Sequence, residues 1–432
     1  MAKDIIVEPL NSALRYLGTS VQASYIKDYA AQIGANKILV ESRYIDKDYL
    51  IDFQKFYSRS FGAKKWNCLR IHFFAGDQTC DELQECVSKS ESSIILQENY
   101  RGFVVRKPVR NKKDELIIGR TVLPTYPENG GNHKRIYITC QQRANLFGHE
   151  LHLKTLPFQS QDRGVGACAS AALWSASNQL FCLFETQRSS LYEITEEANM
   201  GVIHESRAFP SQGLTARQMC GYIRKKGLEL EFFNIGKNST LQKEHIEMIL
   251  KAFIEAGIPV IAGIALHADG KNPVLHAVVI SGYSIDANGS FNEIYVHDDQ
   301  IGPYASVLSS DGFLTWHYKT GGWSNYDFIK LDTLMVPLYH KIRLPFLELW
   351  LASKLIRTKR DIKHHSIHFY EIRNYKKRLL TLNFNGKAKL LAKSMPHYLW
   401  VFEATYADGM VEETVLDATA PYKQEVVSFF HS

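Results

Sequence analysis

The sequence has no run of apolar residues long enough to cross a membrane. The nearest candidate, Leu344 to Ile356, is short and carries Glu348 and Lys354, whereas a membrane helix needs about 18 to 20 apolar residues. The first residues include an early acid and no continuous apolar stretch, so we expect no secretory signal. We therefore expect a protein without a membrane span, in which Leu344 to Ile356 forms a core-facing helix.

Cysteine is scarce, and its spacing forms no disulfide framework. The seven cysteines are an odd number, and no two of them form a Cys-x-x-Cys pair, so we expect neither a disulfide scaffold nor a zinc site. Free thiols persist in a reducing compartment, which favours a cytoplasmic location.

The net charge of +6 is mild for 432 residues, so we expect no nucleic-acid partner, and no metal or cofactor is indicated. The oligomeric state is not indicated by the sequence.

The chain lacks internal repeats, and its length suggests two or three domains. We predict the α+β class, with an N-terminal α+β region of unknown role over 1–150, a catalytic region over 151–335 and a strand-rich α+β extension over 336–432. Residues 1 to about 60 look helical, and the segments after about 66 look like strands. These strand-like segments include Ser93 to Gln97 and, in the extension, Leu379 to Phe384.

What the chain does have is a cysteine, Cys168, at the point where a polar loop sequence changes to an apolar helical sequence. A polar, glycine-bearing loop precedes Cys168, and the helix-favouring, apolar run Ala169 to Ala176 follows it. We therefore place Cys168 at the start of a buried helix, where the helix dipole and free backbone N–H groups favour a thiolate. Cys182, which lies among apolar residues, is interpreted as a buried structural thiol.

A second segment offers partners for this thiol. Val274 to Tyr283 and Glu293 to Asp299 read as two strands joined by a turn, with His276 on the first strand. A loop centred on Ala287 would place His276 opposite Asp298, close enough for an imidazole–carboxylate hydrogen bond. A tight two-residue Asn288-Gly289 turn would instead slip the register by about three residues. Alternation places Asp298 on the face of Val296, so it is the favoured acid and Asp299 is the alternative.

Other histidines compete with His276 for this role. His204 and His267 lie in loops of the same region and are the main competitors, whereas His364, His365 and His368 lack metal-ligand spacing and are expected to face solvent. A thiol, an imidazole and an acid in this chain order are suited to acyl transfer. The thiolate attacks an acyl carbon, and the histidine protonates the leaving group.

These residues resemble the papain-like cysteine peptidases. A glutamine, then Cys168 ahead of Ala-Ala-Leu-Trp, then His276-Ala-Val-Val-Ile-Ser-Gly-Tyr and a following acid are similar to the bacterial peptidases that process double-glycine bacteriocin leaders. The resemblance implies a papain-like core, in which a helix carries the cysteine and an antiparallel sheet carries the histidine and the aspartate. It also implies Cys168 as nucleophile, His276 as base, Asp298 as orienting acid, and Gln161 or Gln159 in the oxyanion hole.

Two features qualify how the resemblance is applied. Position 162, six residues before the cysteine, holds Asp where this family has its glutamine. The segment His397 to Thr419 is similar to the His and Asp strands of transglutaminase-like proteins, but no second cysteine helix precedes it, so we interpret it as a β-hairpin.

The expected function is hydrolysis of an amide bond in a specific protein or peptide substrate, by a cysteine peptidase or isopeptidase. An acyltransferase or deamidase with the same triad is the alternative among enzymes, because the sequence does not show whether water or an amine resolves the acyl-enzyme. A non-catalytic binding scaffold with this fold is the alternative outside enzymes.

Overall fold

The structure is a computed structural model that describes residues 5–62, 64–128, 133–200, 208–236, 241, 243–357 and 362–431. For residues 352–357 it describes the backbone alone. It contains helices together with several antiparallel sheets, which confirms the α+β class. None of the helices among these residues is long and apolar enough to cross a membrane.

The first part of the chain forms a five-stranded antiparallel sheet with strand order β1-β2-β3-β4-β5. Short helices flank it. Ser20 and Asp46 are ordinary N-caps, each of which lies just before the first residue of its helix. The elements are β1 (Ile5–Pro9), α1 (Ala13–Leu17), α2 (Val21–Gln32), β2 (Lys37–Tyr44), α3 (Lys47–Lys55), β3 (Cys68–Phe74), α4 (Cys80–Cys86), α5 (Ser93–Asn99), β4 (Tyr100–Arg110) and β5 (Leu116–Val122).

A second set of elements leads into the central part of the molecule. β6 pairs with a strand of the central sheet, β7 and β8 form a hairpin of their own, and helices follow. The elements are β6 (Lys134–Tyr137), β7 (Cys140–Leu146), β8 (His149–Thr155), α6 (Cys168–Phe184), α7 (Leu191–Asn199), α8 (Ala216–Lys225), β9 (Leu228–Asn234) and α9 (Lys243–Glu255).

The central sheet has eight strands, and six of them close into a ring. The order is β10-β11-β12-β13-β14-β15-β9, and β10 also pairs with β15, while β6 pairs with β11. The ring is made of β10 (Val260–His267), β11 (Val274–Ile285), β12 (Phe291–Asp298), β13 (Gly302–Leu308), β14 (Thr315–Tyr318) and β15 (Phe328–Tyr339).

The last part of the chain forms a four-stranded antiparallel sheet, β16-β17-β18-β19, with β17 and β18 adjacent as the expected hairpin. Its elements are α10 (Phe346–Arg357), β16 (Ile362–Glu371), α11 (Ile372–Thr381), α12 (Lys387–Ala392), β17 (Tyr398–Tyr406), β18 (Val411–Asp417) and β19 (Glu425–His431). The helix expected over Leu344 to Ile356 is confirmed as α10.

Two hydrophobic cores meet at the central sheet. One core joins the five-stranded sheet and α6 to one side of the central sheet through residues such as Ala277 and Val279. The other joins the central sheet to α9, α10 and the C-terminal sheet through residues such as Val278 and Trp400. The helix that carries Cys168 is therefore held on both sides by buried apolar surface, which is the dominant stabilising contribution in a fold of this kind.

Several local predictions are wrong. Ser93 to Gln97 lies in helix α5, where Leu96 is buried but Ile94 is exposed, because a short apolar run does not distinguish a strand from a helix. Leu379 to Phe384 includes the end of α11 rather than a strand. The first 60 residues contain β1 and β2 in addition to helices, so the helical period near Leu14 did not extend over the whole segment.

Candidate active site

Cys168 is the first residue of α6, as the sequence predicts. The preceding residue, Ala167, has extended backbone angles and a side chain that cannot cap the helix. The first N–H groups of a helix have no partner within the helix, so here they are left without a side-chain cap beside the thiol. Cys168 itself is partly exposed, whereas the residues that follow it are buried.

His276 lies on β11 and joins the thiol to a buried carboxylate. Its Nε2 is 3.0 Å from Oδ1 of Asp298, and the neighbouring Cys168 thiol is among the groups that raise the pKa of the imidazole. Because Nε2 faces the carboxylate, we assign Nδ1 to the side of the thiol. The imidazole is buried and Asp298 is fully buried, so solvent does not weaken these contacts.

The register of the hairpin differs from the prediction. Ile280 pairs with Val296, two residues beyond the partner that a loop centred on Ala287 would give. Gly282 pairs with Tyr295, which is the register of the alternative Asn288-Gly289 turn, and bulges interrupt the pairing of β11 with β12. His276 lies past the last pair of these two strands and is opposite Ile264 of β10 instead. The direct pairing of residues 276 and 298 is therefore wrong, although their side chains meet, because Asp298 lies at the end of β12 and the long imidazole reaches it.

Two residues that the sequence analysis missed hold Asp298 in place. Its Oδ2 accepts hydrogen bonds from the Tyr318 hydroxyl at 2.9 Å and from Trp323 Nε1 at 3.0 Å. Its Oδ1 also accepts the backbone N–H of Gln300. The Trp323 ring packs edge-on against His276, with ring centroids 4.8 Å apart, and so covers the pair. Trp323 has a φ of 69°, an uncommon value for a non-glycine residue that clusters at functional sites.

The charges of the site favour a protonated histidine. Burial by itself lowers the pKa of His276, but the Asp298 carboxylate and the hydrogen bonds to Asp298 and Cys168 outweigh it and hold this pKa well above its ordinary value. Burial likewise opposes ionisation of Asp298, but His276 and the surrounding donors leave the pKa of this carboxyl below its ordinary value. The buried carboxylate therefore favours the charged imidazolium form of His276.

Asp299 is a different kind of carboxyl. Its Oδ1 is 3.6 Å from His276 Nε2 and has no hydrogen-bond partner among the described residues, while its Oδ2 accepts from Gln300 Nε2. Burial raises the pKa of Asp299 to about 6, because the opposing effect of His276 is partly offset by the negative Asp298 beside it. The geometry therefore favours Asp298 over Asp299 as the acid that orients His276.

Exchanging each acid for its amide separates their roles. We expect Asp298→Asn to slow alkylation of Cys168 by iodoacetamide at pH 6 about 10²-fold, because without that charge His276 is a weaker base towards the thiol, and an ordinary thiol is well under about 1% ionised at that pH. Asp299→Asn should change this rate by less than about threefold. The rates are read from the mass of the Cys168 peptide over time, and equal losses in the two variants would contradict the assignment.

The raised pKa of Asp299 also makes a prediction about stability. Its pKa is about 6 in the folded state, against 3.8 for an unperturbed aspartate, so its contribution to stability is fully present below pH 3.8 and is lost as the pH rises through about 6. We expect Asp299→Asn to raise the free energy of unfolding at pH 8 by about 2 kcal/mol relative to its effect at pH 4. Urea unfolding at both pH values measures this.

The matched control for this prediction is Asp77→Asn, because Asp77 is exposed. Its effect on the free energy of unfolding should be small and nearly independent of pH. A difference between wild type and Asp299→Asn that stays constant from pH 4 to pH 8 would show that Asp299 is not a buried carboxyl with a raised pKa.

The two candidate oxyanion glutamines differ in their surroundings. Gln159 is buried, and its Nε2 has no hydrogen-bond acceptor among the described residues. Gln161 is partly exposed, and its backbone N–H contacts Asp299. Asp162 accepts a hydrogen bond from Tyr57 at 2.5 Å. The carboxylate of Asp162, at the position where the family has its glutamine, cannot donate to an oxyanion. Of the two glutamines, Gln159 has the better donor, because its Nε2 is not used by another acceptor among the residues described.

Cys168 and His276 open into a cleft of about 460 Å³, which lies within the usual range of ligand sites. Apolar side chains, such as those of Leu275, Met219 and Met335, line it together with the Asp332 carboxylate. Neither Gln159 nor Gln161 belongs to the lining of this cleft in the described part of the chain. A larger cavity of about 1190 Å³ is lined by Gln300 and Trp323 and by residues of α2.

Among the residues that the structure describes, one group could hold a cation: His276, Asp298 and Asp299, whose ligand atoms lie within 4.8 Å of one another. Both oxygens of Asp298 already accept hydrogen bonds, from four donors in all. This donor set fits an oriented imidazole better than a metal, which needs free lone pairs on its carboxylate ligands.

The competing histidines lie elsewhere or outside the described residues. His204 falls outside the described ranges. His267 stacks on Phe328 at the end of β10, with ring centroids 4.4 Å apart.

The expectation that His368 faces solvent is wrong: it is buried, and its Nδ1 is 3.0 Å from Glu255. Burial opposes protonation of His368, but Glu255 and Glu403 raise its pKa to about 9. It therefore links the C-terminal sheet to α9 as an ion pair.

No family model matches the chain, and a search of curated proteins also finds no match.

Proposed function

We propose that this chain is a cysteine peptidase or isopeptidase with a papain-like core, which hydrolyses an amide bond of a specific protein or peptide through Cys168, His276 and Asp298. The observation that carries the proposal is the relay from thiol to carboxylate. The thiol at the start of α6 lines one cleft with the His276 imidazole, and Nε2 of this imidazole is 3.0 Å from a fully buried acid.

Each group has one task in the proposed reaction. The Cys168 thiolate attacks the carbonyl carbon of the substrate, and the C–N bond breaks as His276 donates its proton to the leaving amine. Asp298 keeps the imidazole oriented and stabilises its charge. Water then attacks the thioester carbon, with His276 accepting its proton, and the carboxylic acid leaves while the thiol is regenerated.

The oxyanion of the tetrahedral intermediate needs donors, and we assign them to the backbone N–H of Cys168 and to Gln159 Nε2. Since Ala167 provides no side-chain cap, the backbone at the start of α6 is available for a ligand. Of the two candidate glutamines, Gln159 has a side-chain donor without an acceptor among the described residues, and it would have to reach the cleft from behind its lining to donate to the oxyanion.

We expect Gln159→Ala to slow acetylation of Cys168 by 4-nitrophenyl acetate about 10²-fold, because one oxyanion donor is lost. Alkylation by iodoacetamide, which forms no oxyanion, should be unchanged, so this second rate also reports whether the variant is folded. Gln161→Ala is the matched control and should leave both rates within about threefold. A loss in Gln161→Ala but not in Gln159→Ala would reverse the assignment.

A peptidyl vinyl sulfone, which is attacked by catalytic thiolates, tests the proposed function directly. The probe is expected to form an adduct on Cys168, mapped by mass spectrometry of the digested protein, and His276→Ala should abolish this adduct. Adducts on Cys140 or Cys220 in place of Cys168 would overturn the assignment of the nucleophile. Retention of the full labelling rate in His276→Ala would overturn the assignment of the base.

A second experiment separates hydrolysis from acyl transfer. Proteome-derived peptides are incubated with the wild-type protein in the presence of a labelled primary amine, with Cys168→Ala as the blank. A peptidase produces new free carboxyl termini, an acyltransferase produces amine conjugates, and a deamidase converts glutamine to glutamate. A binding scaffold produces none of these, and Cys168→Ala would then match the wild type.

A further inference from the structure

A second pair of thiols lies at the other end of α6. Cys182 is exposed near the end of the helix, and Cys140 is buried at the start of β7. The Cys140 sulfur is 3.8 Å from the backbone oxygen of Asn178, which precedes Cys182 by one helical turn. Helical side chains tilt toward the N-terminus, so the Cys182 side chain lies over that same carbonyl. The two thiols are accordingly neighbours, and each shifts the pKa of the other.

The surroundings make the two thiols unequal. Cys182 hydrogen-bonds Arg188, whose guanidinium packs over the Phe181 ring at 4.2 Å. The hydrogen bond from Cys140 and the charge of Arg188 outweigh burial and lower the pKa of Cys182 to about 6. The interaction with Cys182 and burial raise the pKa of Cys140. The exposed sulfur is therefore the thiolate, and the buried sulfur holds the proton. The expectation that Cys182 is a buried structural thiol is wrong.

We propose that Cys140 and Cys182 form a reversible redox pair, in which Cys182 reacts with a hydroperoxide and Cys140 resolves the product into a disulfide. This pair is separate from Cys168, so the proposal stands or falls independently of the peptidase activity. A reactive exposed thiolate beside a buried resolving thiol is the arrangement found in thiols that sense oxidants.

The reaction balances with one hydroperoxide as the oxidant. The Cys182 thiolate attacks the outer oxygen, an S–O bond forms and the O–O bond breaks, and the leaving oxygen takes a proton to give water or an alcohol. The Cys140 sulfur then attacks the Cys182 sulfur, the S–S bond forms and the S–O bond breaks. The hydroxide that leaves takes the Cys140 proton and becomes water. The two thiols lose two electrons, and the hydroperoxide gains them.

Closing the bond brings the two neighbouring sulfurs to about 2.0 Å from each other. Rotation of the Cys182 side chain can supply this movement, because it is exposed near the end of its helix. Gln142 Nε2 donates to the Cys140 sulfur at 3.0 Å. This contact orients the buried sulfur and favours the thiolate that Cys140 becomes as it attacks.

The experiment uses the full chain treated with hydrogen peroxide, followed by blocking of the remaining thiols and peptide mapping without reduction. We expect a peptide containing Cys140 linked to one containing Cys182, and separation of the two by dithiothreitol. In Cys140→Ser, dimedone should trap the sulfenic acid of Cys182 at least about tenfold more than in the wild type, because the resolving thiol is missing. Cys220→Ser, the matched control, should give the same linked peptide as the wild type.

Two results would overturn the proposal. One is a wild-type protein in which Cys182 gives as much dimedone adduct as in Cys140→Ser, since Cys140 would then not resolve it. The other is a disulfide that joins Cys182 to a cysteine other than Cys140, or a treated protein with no disulfide at Cys182. Because the linked peptide is sought in the wild-type protein, the test does not depend on whether a variant folds.

Discussion

Replacing Cys168 with alanine is expected to lower acyl transfer by about 10⁴-fold or more, because no other group in the site can take the place of the nucleophile. The measurement is release of 4-nitrophenol from 4-nitrophenyl acetate, together with the mass of the acetylated protein. The fold should be retained, since alanine favours a helix and Cys168 is partly exposed at the first position of α6.

Cys220→Ala is the control for this result, because Cys220 is another partly exposed thiol, on α8. Its acyl-transfer rate should match that of the wild type. Cys168→Ala also retains the cleft and can bind a substrate without cleaving it, so covalent crosslinking in a cell extract should recover the substrate. If Cys168→Ala keeps the wild-type rate, the chemistry belongs to another residue and the proposed function is wrong.

The second large effect concerns stability and comes from a buried lysine. Lys107 on β4 lies 3.3 Å from Asp52 and 3.8 Å from Asp162, and all three side chains are buried. Burial opposes the charge of Lys107, but the two acids raise its pKa above the ordinary value, while burial raises the pKa of Asp52 to about 6. Asp162 lies in the loop that leads to Cys168, so this cluster fastens that loop to the N-terminal sheet.

We expect Lys107→Met to reduce the free energy of unfolding by about 3 to 5 kcal/mol, because methionine fills the space but leaves two buried carboxyls without their cation. Urea unfolding at pH 7 measures the loss. Adding Asp52→Asn should recover part of it, because one of the uncompensated charges is removed and the amide can still accept from Tyr192 N, as Asp52 does at 3.1 Å.

The control for Lys107→Met is Lys89→Met, since Lys89 forms an ion pair of 3.4 Å with Glu85 on the surface. An exposed pair contributes about 0 to 1 kcal/mol, so this variant should unfold almost as the wild type does. Similar losses in the two variants would show that the Lys107 cluster is not stabilising in the way proposed.

The parts of the site that could be predicted from sequence have local signals. The start of α6 at Cys168 follows from a glycine-bearing loop and an alanine-rich run, and β11 and β12 follow from apolar segments around a turn. The choice of Asp298 over Asp299 rested on alternation along one strand, and the geometry agrees with it. The predicted register of β11 against β12 was wrong, because β-bulges shift the pairing of these two strands. Such bulges carry no clear signal in a single sequence.

The other groups around the site come together only through distant pairings. Tyr318 reaches Asp298 because β12, β13 and β14 pair in succession, and Trp323 follows shortly after β14. No local pattern in this segment predicts that both side chains turn towards one carboxylate. The only signal for Trp323 was a bulky aromatic residue after two glycines. The contact of Cys140 with α6 likewise joins elements that are far apart in sequence, so Cys182 was judged by its apolar neighbours alone.

The pairing of β6 with β11 has a consequence for the order of events during synthesis. Arg135 of β6 bonds Tyr295, which is 160 residues further along the chain, so at roughly 5 to 20 residues per second its partner follows about 10 to 30 seconds later. The thiol likewise leaves the ribosome before the imidazole and the acid exist. A growing chain can therefore form its first sheet early but holds an inert nucleophile, and the proposed chemistry becomes available only once the ring has closed.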